Sequence, residues 1–250
     1  MKQRGRPYLR EVSLRREEAP GGGYPFDLPA VSGLEKLTFH PDVTFLVGEN
    51  GSGKSTLLEA IAVAWGFNPE GGTINFNFST RASHSELYKH LKLVRSHKRP
   101  RDGFFLRAES FFNLATNIEQ LDEEPSFTPP VVNSYGRRSL HEQSHGESFL
   151  ALLIHRFGGN GFYILDEPEA ALSPTRQLAV LRRIHHLVLQ DSQFVIATHS
   201  PILMAYPQAR ILLLEETGYR EVRFEDTEHY AVTKEFLNNP ARMIESLLDD

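Results

Sequence analysis

An α/β fold, a sheet flanked by helices, is predicted by two features of the sequence. The second half alternates short, wholly apolar runs with amphipathic stretches of helical length. Near residue 50 a glycine-rich loop joins a further apolar run, Val43 to Val47, to an apolar helical run, Leu57 to Trp65. Strands that alternate with helices in this way build crossover units on one sheet.

Taken in order, Leu9, Val12 and Leu14 begin a first strand behind a basic N-terminus (Lys2, Arg4, Arg6, Arg10, Arg15 and Arg16, against Glu11). Those arginines are read either as a solvated tail and edge strand or as phosphate-facing groups. Gly21-Gly22-Gly23 is a loop, followed by Tyr24, Pro25 and Phe26. Leu34, Leu37 and Phe39 suggest a second strand, ending at His40-Pro41. Gly66 closes the helix that follows the glycine-rich loop. Residues 73–78 alternate as a half-buried strand.

Residues 81–101, with Arg81, Lys89, Lys92, Arg95, Lys98, Arg99 and Arg101, read as a basic helical stretch. Phe104 to Leu106 is a further strand, 109–121 a helix, and the proline-bearing 122–139 a polar loop. Residues 80–150 are therefore expected to form a helical subdomain inserted into a single domain that spans 1–250. Ser148 to Phe157 is an amphipathic helix ended by Gly158-Gly159, and Phe162 to Leu165 a strand of the buried parallel type. Ser173 as N-cap and Pro174 at the first helical position open a helix to about Gln190. Phe194 to Thr198 and Ile211 to Leu214 are further buried strands.

The loop itself, Gly48 to Thr56, fits G-x-x-x-x-G-K-[ST], the phosphate-binding loop. Glycine lets successive backbone N–H groups approach an anion without a Cβ in the way. The helix behind it adds unpaired N–H groups and the positive end of its dipole. Asn50, Gly51, Ser52, Gly53, Lys54, Ser55 and Thr56 are thus the expected nucleotide-binding residues. Lys54 would reach the β- and γ-phosphates, and the Ser55 hydroxyl would ligate Mg²⁺. A flexible Gly/Ser turn is the bland alternative.

Asp166 and Glu167 follow a buried strand, on the sheet edge where α/β proteins bind ligands. Asp166 is expected to hold Mg²⁺ with Ser55, and Glu167 to polarise an attacking water. A helix-capping acid pair is the alternative. His199, in Thr198-His199-Ser200, ends the next buried strand and is placed to hydrogen-bond a γ-phosphate or the catalytic carboxylate. Ser144 and Glu147 form S-x-x-E, a capping box at the start of a helix, and such a start is also an anion site.

Composition narrows the classes. The 250 residues are 40% apolar with net charge −5, which gives no global argument for nucleic acid. No apolar run approaches the ~20 residues of a membrane span, and the basic N-terminus lacks the apolar core of a signal peptide. The absence of cysteine excludes disulfides, thiolate metal sites and a cysteine nucleophile. A cytoplasmic protein is expected, or a subunit bound to a membrane partner. His141 and His145 lie four apart and His185-His186 share a helix, but no acid cluster completes a metal site, so Mg²⁺ is the one metal expected.

Four pieces in this order resemble the nucleotide-binding domain of ABC-type ATPases, a branch of the P-loop NTPases. They are the phosphate loop 48–56, Ser144-His145-Gly146-Glu147 as the signature after its first residue, Asp166-Glu167 as the Walker B end, and His199 as the switch histidine. Asp166 follows Ser144 by 22 residues and His199 follows Asp166 by 33, which agrees with that family. Ala171-Leu172-Ser173 resembles the loop that crosses the family's dimer interface. The resemblance spans roughly 9–215 and implies an ABC-type mixed sheet and a head-to-tail dimer. Two Mg-ATP would lie between one subunit's phosphate loop and Ser144 and Gly146 of the other. Gln143 and His145 depart from the family signature. The glutamine expected after the mid-domain strand has Glu109 as its stand-in, and Tyr24 lies near the family's adenine-stacking aromatic, although core or loop packing is the preferred reading for it. Glu169, where transport ATPases carry Thr or Ser, is more similar to soluble ATPases related to DNA-repair and phage-defence proteins.

The leading expectation is an ATP-hydrolysing switch, catalysed by Glu167 and His199, which dimerises on ATP and is read by a protein partner or DNA. The alternatives are the ATPase subunit of a transporter with a membrane permease, and a nucleic-acid-binding module supported by the basic stretches.

Overall fold

In a computed structural model, residues 7–73, 85–109, 111, 115, 116, 118, 119, 122, 133, 145–215 and 218–248 are described. Two sheets carry the chain. The first is antiparallel, in the order β2-β1-β4, from β1 (Leu9–Leu14), β2 (Leu37–Thr38) and β4 (Leu91–Arg95). The second holds β3 (Val43–Val47), β5 (Asp102–Arg107), β6 (Gly161–Asp166), β7 (Gln193–Ala197), β8 (Arg210–Glu215) and β9 (Gly218–Val222), in the order β5-β6-β7-β3-β8-β9. Five of these strands run parallel, and β9 closes one edge as an antiparallel hairpin with β8.

The apolar runs are continuous because both faces of the large sheet are covered. Phe45, Tyr163, Leu165, Phe194 and Ile196 point to one side. There they meet α3 (His145–His155), α4 (Pro174–Leu189) and α5 (Pro201–Met204). Leu46, Phe162, Ile164, Val195 and Leu212 point to the other, against α2 (Lys54–Trp65), the single turn α1 (Pro29–Ser32) and the small sheet. The two sheets are joined at Gln193, buried at the start of β7. Its Oε1 accepts from the Tyr8 and Leu9 N–H groups (2.8 and 2.9 Å), and its Nε2 donates to the Leu9 and His40 carbonyls (2.8 and 2.9 Å).

Helix ends follow the sequence signals. Gly66 takes a left-handed φ of 114° and bonds back to Ala62 and Val63, and Ser173 caps α4 by accepting from the Arg176 N–H. The C-terminal segment, not read as secondary structure in the sequence, holds β9, α6 (Glu228–Asn238) and α7 (Pro240–Leu248).

The basic helix expected at the start of the inserted subdomain, 80–150, needs correction. The described first part of that range is a 3₁₀ turn (Glu86–His90), β4 and β5, not a basic helix. Arg95 does not sit on a helical face: it bonds the Ala64 carbonyl (2.6 Å) and stacks on Trp65. Of the helix expected over 109–121, Phe111, Ala115 and Ile118 are helical and buried in the same core as Phe149 and Tyr163. The first six residues, most of the strand expected at 73–78, and Ser144 lie outside the described residues.

Candidate nucleotide site

Parallel register brings the chemistry to one sheet edge. Arg107, Asp166 and Ala197 are direct neighbours across β5, β6 and β7, and Leu46 pairs with Ala197, so the loop after β3 opens beside Asp166 and His199. Gly48 and Gly53 of that loop hold φ of 153° and 95°, a region that disfavours side chains. A Cβ on Gly53 would also press on Leu28 and Ala30, 3.0 and 3.2 Å away. The loop is anchored from outside by the Ala30 N–H, which donates to the Ser52 carbonyl (2.9 Å).

Lys54 is buried at the first position of α2, and its Nζ donates to the carbonyls of Gly48 and Glu49, both at 2.7 Å. Burial lowers its pKa, against the raising effect of Glu167, Asp166, Glu169 and Glu49. Ser55 Oγ donates to Asp166 Oδ1 at 2.9 Å. Burial raises the Asp166 carboxyl to about 6, although Arg107 and the Ser55 hydrogen bond favour its charge. Asn50, Gly51, Gly53, Lys54, Ser55, Thr56 and Glu167 line a cleft of about 270 Å³ together with Tyr24 and Leu28. A second cleft of about 510 Å³ runs from Gly48, Glu49, Asn50 and Ser52 to His199, Glu215 and His229.

Glu167 takes the left-handed conformation (φ 49°), its N–H held by the Ala197 carbonyl at 3.0 Å. Strained backbone of this kind concentrates at functional sites. Its Oε1 lies 3.7 Å from Nε2 of His199. The backbone N–H of His199 is pinned in turn by Glu169 Oε1 at 2.5 Å, and its Nδ1 lies 3.1 Å from Nε2 of His229 on α6. Burial lowers the His199 pKa, Lys54 adds to this, and Glu167 opposes it.

The expected residues Asn50 to Thr56, Asp166, Glu167 and His199 therefore converge. Ser144 is outside the described residues, and Gly146 sits elsewhere. It is buried at the start of α3, where a Cβ would stand 2.6 Å from the Ala171 carbonyl and 2.5 Å from Arg176. Packing within its own chain thus already requires glycine there. The Glu109 side chain is 85% exposed and pairs with Arg107 (3.3 Å). Arg107 is the group beside Asp166: its Nε is 3.8 Å from Oδ2 while its Nη1 pairs with Glu59 at 2.6 Å. Tyr24 is not packed in a core but 75% exposed at the mouth of the smaller cleft. Arg107 and His229 were missed by sequence reasoning, and Glu169 was read as a mark of subfamily without a place in the site. Glu169 carried a signal, an acid two residues after Glu167, whereas His229 follows from tertiary packing alone.

The site fits a Mg-nucleotide. One buried carboxylate and one hydroxyl, with no cluster of three His or acidic groups among the described residues, is the donor set of an ion that takes its remaining ligands from phosphate and water. A divalent charge there would reverse the burial penalty on Asp166.

Comparison with known proteins agrees. The model of a family described as an AAA domain matches residues 30–128, and that of a second AAA domain family, described with the AbiEii toxin and type IV TA systems, matches 116–205. An uncharacterized ABC transporter ATP-binding protein of Haemophilus influenzae is 28% identical over 68% of this chain and 69% of its own length. An energy-coupling factor transporter ATP-binding protein of Methanospirillum hungatei is 27% identical over 82% of this chain, which spans 55% of that relative. Among solved structures, a nucleotide-free ATP-binding cassette from an ABC transporter superposes with a TM-score of 0.52 at 16% identity, over 93% of this chain and 96% of the other.

A phosphate loop opening a helix, with Ser55 and Asp166 joined at the carboxyl edge of a parallel sheet, defines a P-loop nucleoside triphosphatase. Within that class the chain has the fold of an ABC-type ATP-binding cassette and is similar to ABC transporter ATP-binding proteins.

Proposed function

We propose that the chain is a Mg²⁺-dependent, ATP-driven switch whose hydrolytic centre is Glu167 with His199. The observation that carries this reading is the convergence of Lys54, Ser55–Asp166, Glu167 and His199 on one sheet edge. The backbone N–H groups of residues 50–55 and the α2 dipole bind the phosphate chain. Lys54 exchanges its loop carbonyls for phosphate oxygens. Ser55 and Asp166 would hold Mg²⁺, which neutralises charge on the β- and γ-oxygens. Glu167 accepts the proton of the attacking water, and His199 donates from Nε2 to a γ-phosphate oxygen. Tyr24, exposed beside the cleft, supplies a stacking face for the base.

The site is open toward solvent, and the resemblance supports closing it with a second copy, whose Ser144 and α3 N-terminus would reach the γ-phosphate. ATP would then join two chains and hydrolysis release them. Use of ATP supports the expected cytoplasmic location. A permease partner is the second reading, favoured by relatives that are named as transporter ATP-binding proteins; co-purification with a membrane protein would select it. A protein partner or DNA remains the expected reader of the switch.

Phosphate release by the native chain, Glu167→Gln and Lys54→Ala tests the proposal. Glu167→Gln is expected to lose about 10²–10⁴-fold in turnover and to keep ATP binding, and Lys54→Ala to lose binding. Native turnover in Glu167→Gln would contradict the assignment of the base.

A further inference from the structure

We infer that His229 is a positioning residue for the hydrolytic centre: its Nε2–H donates to Nδ1 of His199 and fixes that ring as the tautomer whose Nε2–H faces the γ-phosphate. The inference rests on the reading of His199 as a phosphate-facing donor and adds the residue that makes it one.

The two imidazoles stand 5.3 Å apart between centroids, with Nδ1 of His199 3.1 Å from Nε2 of His229. The neutral ring is favoured at both. Burial lowers each pKa; Lys54 adds to this at His199 and His199 does so at His229, while Glu167 and Glu228 oppose. His229 also sits at the second position of α6, where the positive end of the helix disfavours an imidazolium. One proton therefore lies between the two nitrogens, in one of two arrangements.

If His199 donated, its Nε2 would be a bare lone pair 3.7 Å from the Glu167 carboxylate. Nδ1–H of His229 would then be a buried donor, at an atom that has no hydrogen-bond partner among the described residues. If His229 donates, the His199 proton lies on Nε2, which has no hydrogen-bond partner among the described residues but stands 3.7 Å from the carboxylate, and what remains unpaired at His229 is an acceptor. Each arrangement leaves one buried donor without a hydrogen-bond partner, so the carboxylate decides: a proton between a nitrogen and a carboxylate is favourable where two lone pairs are not. The second arrangement wins there, and it is the one that can donate to phosphate.

The surroundings hold His229 in place. Thr227, buried, caps α6 by accepting from the Tyr230 N–H (3.3 Å) and donates to the Phe224 carbonyl (2.7 Å). Both histidines line the cleft that opens from Gly48 and Asn50.

The test is the imidazole ¹⁵N spectrum of the full nucleotide-free chain near pH 7.5, with His199 assigned by its loss in His199→Gln. The inference expects a protonated Nε2 and a bare Nδ1 on His199. His229→Gln, whose amide can still donate, should keep kcat within about three-fold, whereas His229→Leu should lower kcat about ten-fold, mix the tautomers and leave the Kd for ATP unchanged. A protonated Nδ1 on His199 in the native chain overturns the inference, as does His229→Leu with native kcat and native tautomer. If the Leu variant does not fold, the native spectrum still decides. A native chain without ATPase activity would sink the proposed function, and an active one with the wrong tautomer sinks this inference alone.

Discussion

The Asp166 carboxyl is buried at the end of β6 with one hydroxyl, Ser55, and one guanidinium edge, Arg107, to compensate it. Its pKa in the fold is raised from 3.8 to about 6, so the folded chain holds this proton more tightly than the unfolded one. The stability due to that proton is complete below pH 3.8 and is lost as pH rises through about 6. The displacement corresponds to about 3 kcal/mol. Asp166→Asn, which removes the charge, is therefore expected to stabilise the nucleotide-free chain by up to that amount at pH 8 and much less at pH 5. The same variant should lose its stabilisation by Mg-ATP. Urea denaturation at the two pH values, with and without Mg-ATP, checks both. At this scale the sequence was informative where a motif dictates residue types, as for Lys54, Ser55, Asp166 and Glu167. It was silent on Arg107, whose neighbour in the register, Asp166, is 59 positions away. The chain puts that arginine beside Asp166 and leaves Glu109, the expected stand-in, in solvent.

Among elements, the apolar strands and capped helices were legible because periodicity, N-caps and glycine stops are local signals. The basic segment 81–101 was misread because charge density resembles a helical face, whereas β4 is selected by its antiparallel pairing with β1. Gln193 shows the same limit. As one polar residue ahead of an apolar strand it looks unremarkable, yet it makes four hydrogen bonds that join the sheets. Replacing it with Leu would remove the acceptor that the buried N–H groups of Tyr8 and Leu9 share, at roughly 1–3 kcal/mol for each bond lost. Gln193→Leu is expected to lower stability by about 2–5 kcal/mol in urea denaturation, with the ATP Kd of the folded fraction little changed. A loss below 0.5 kcal/mol would mean that the small sheet is held by apolar contacts alone.

For the whole molecule, the order of loop, acids and histidine along the chain foretold a single sheet edge, and the parallel register delivers it. What lay beyond sequence reading is the return of the C-terminal segment, which places His229 on α6 against His199. On the proposed function, this edge is half of a site, completed by a second chain when ATP is bound. The most direct measurement is the solution mass of Glu167→Gln with and without Mg-ATP, since this variant should bind the nucleotide and not turn it over. The account expects a monomer without nucleotide and a dimer with it. A chain that binds Mg-ATP and stays monomeric at concentrations well above its Kd for the nucleotide would contradict it.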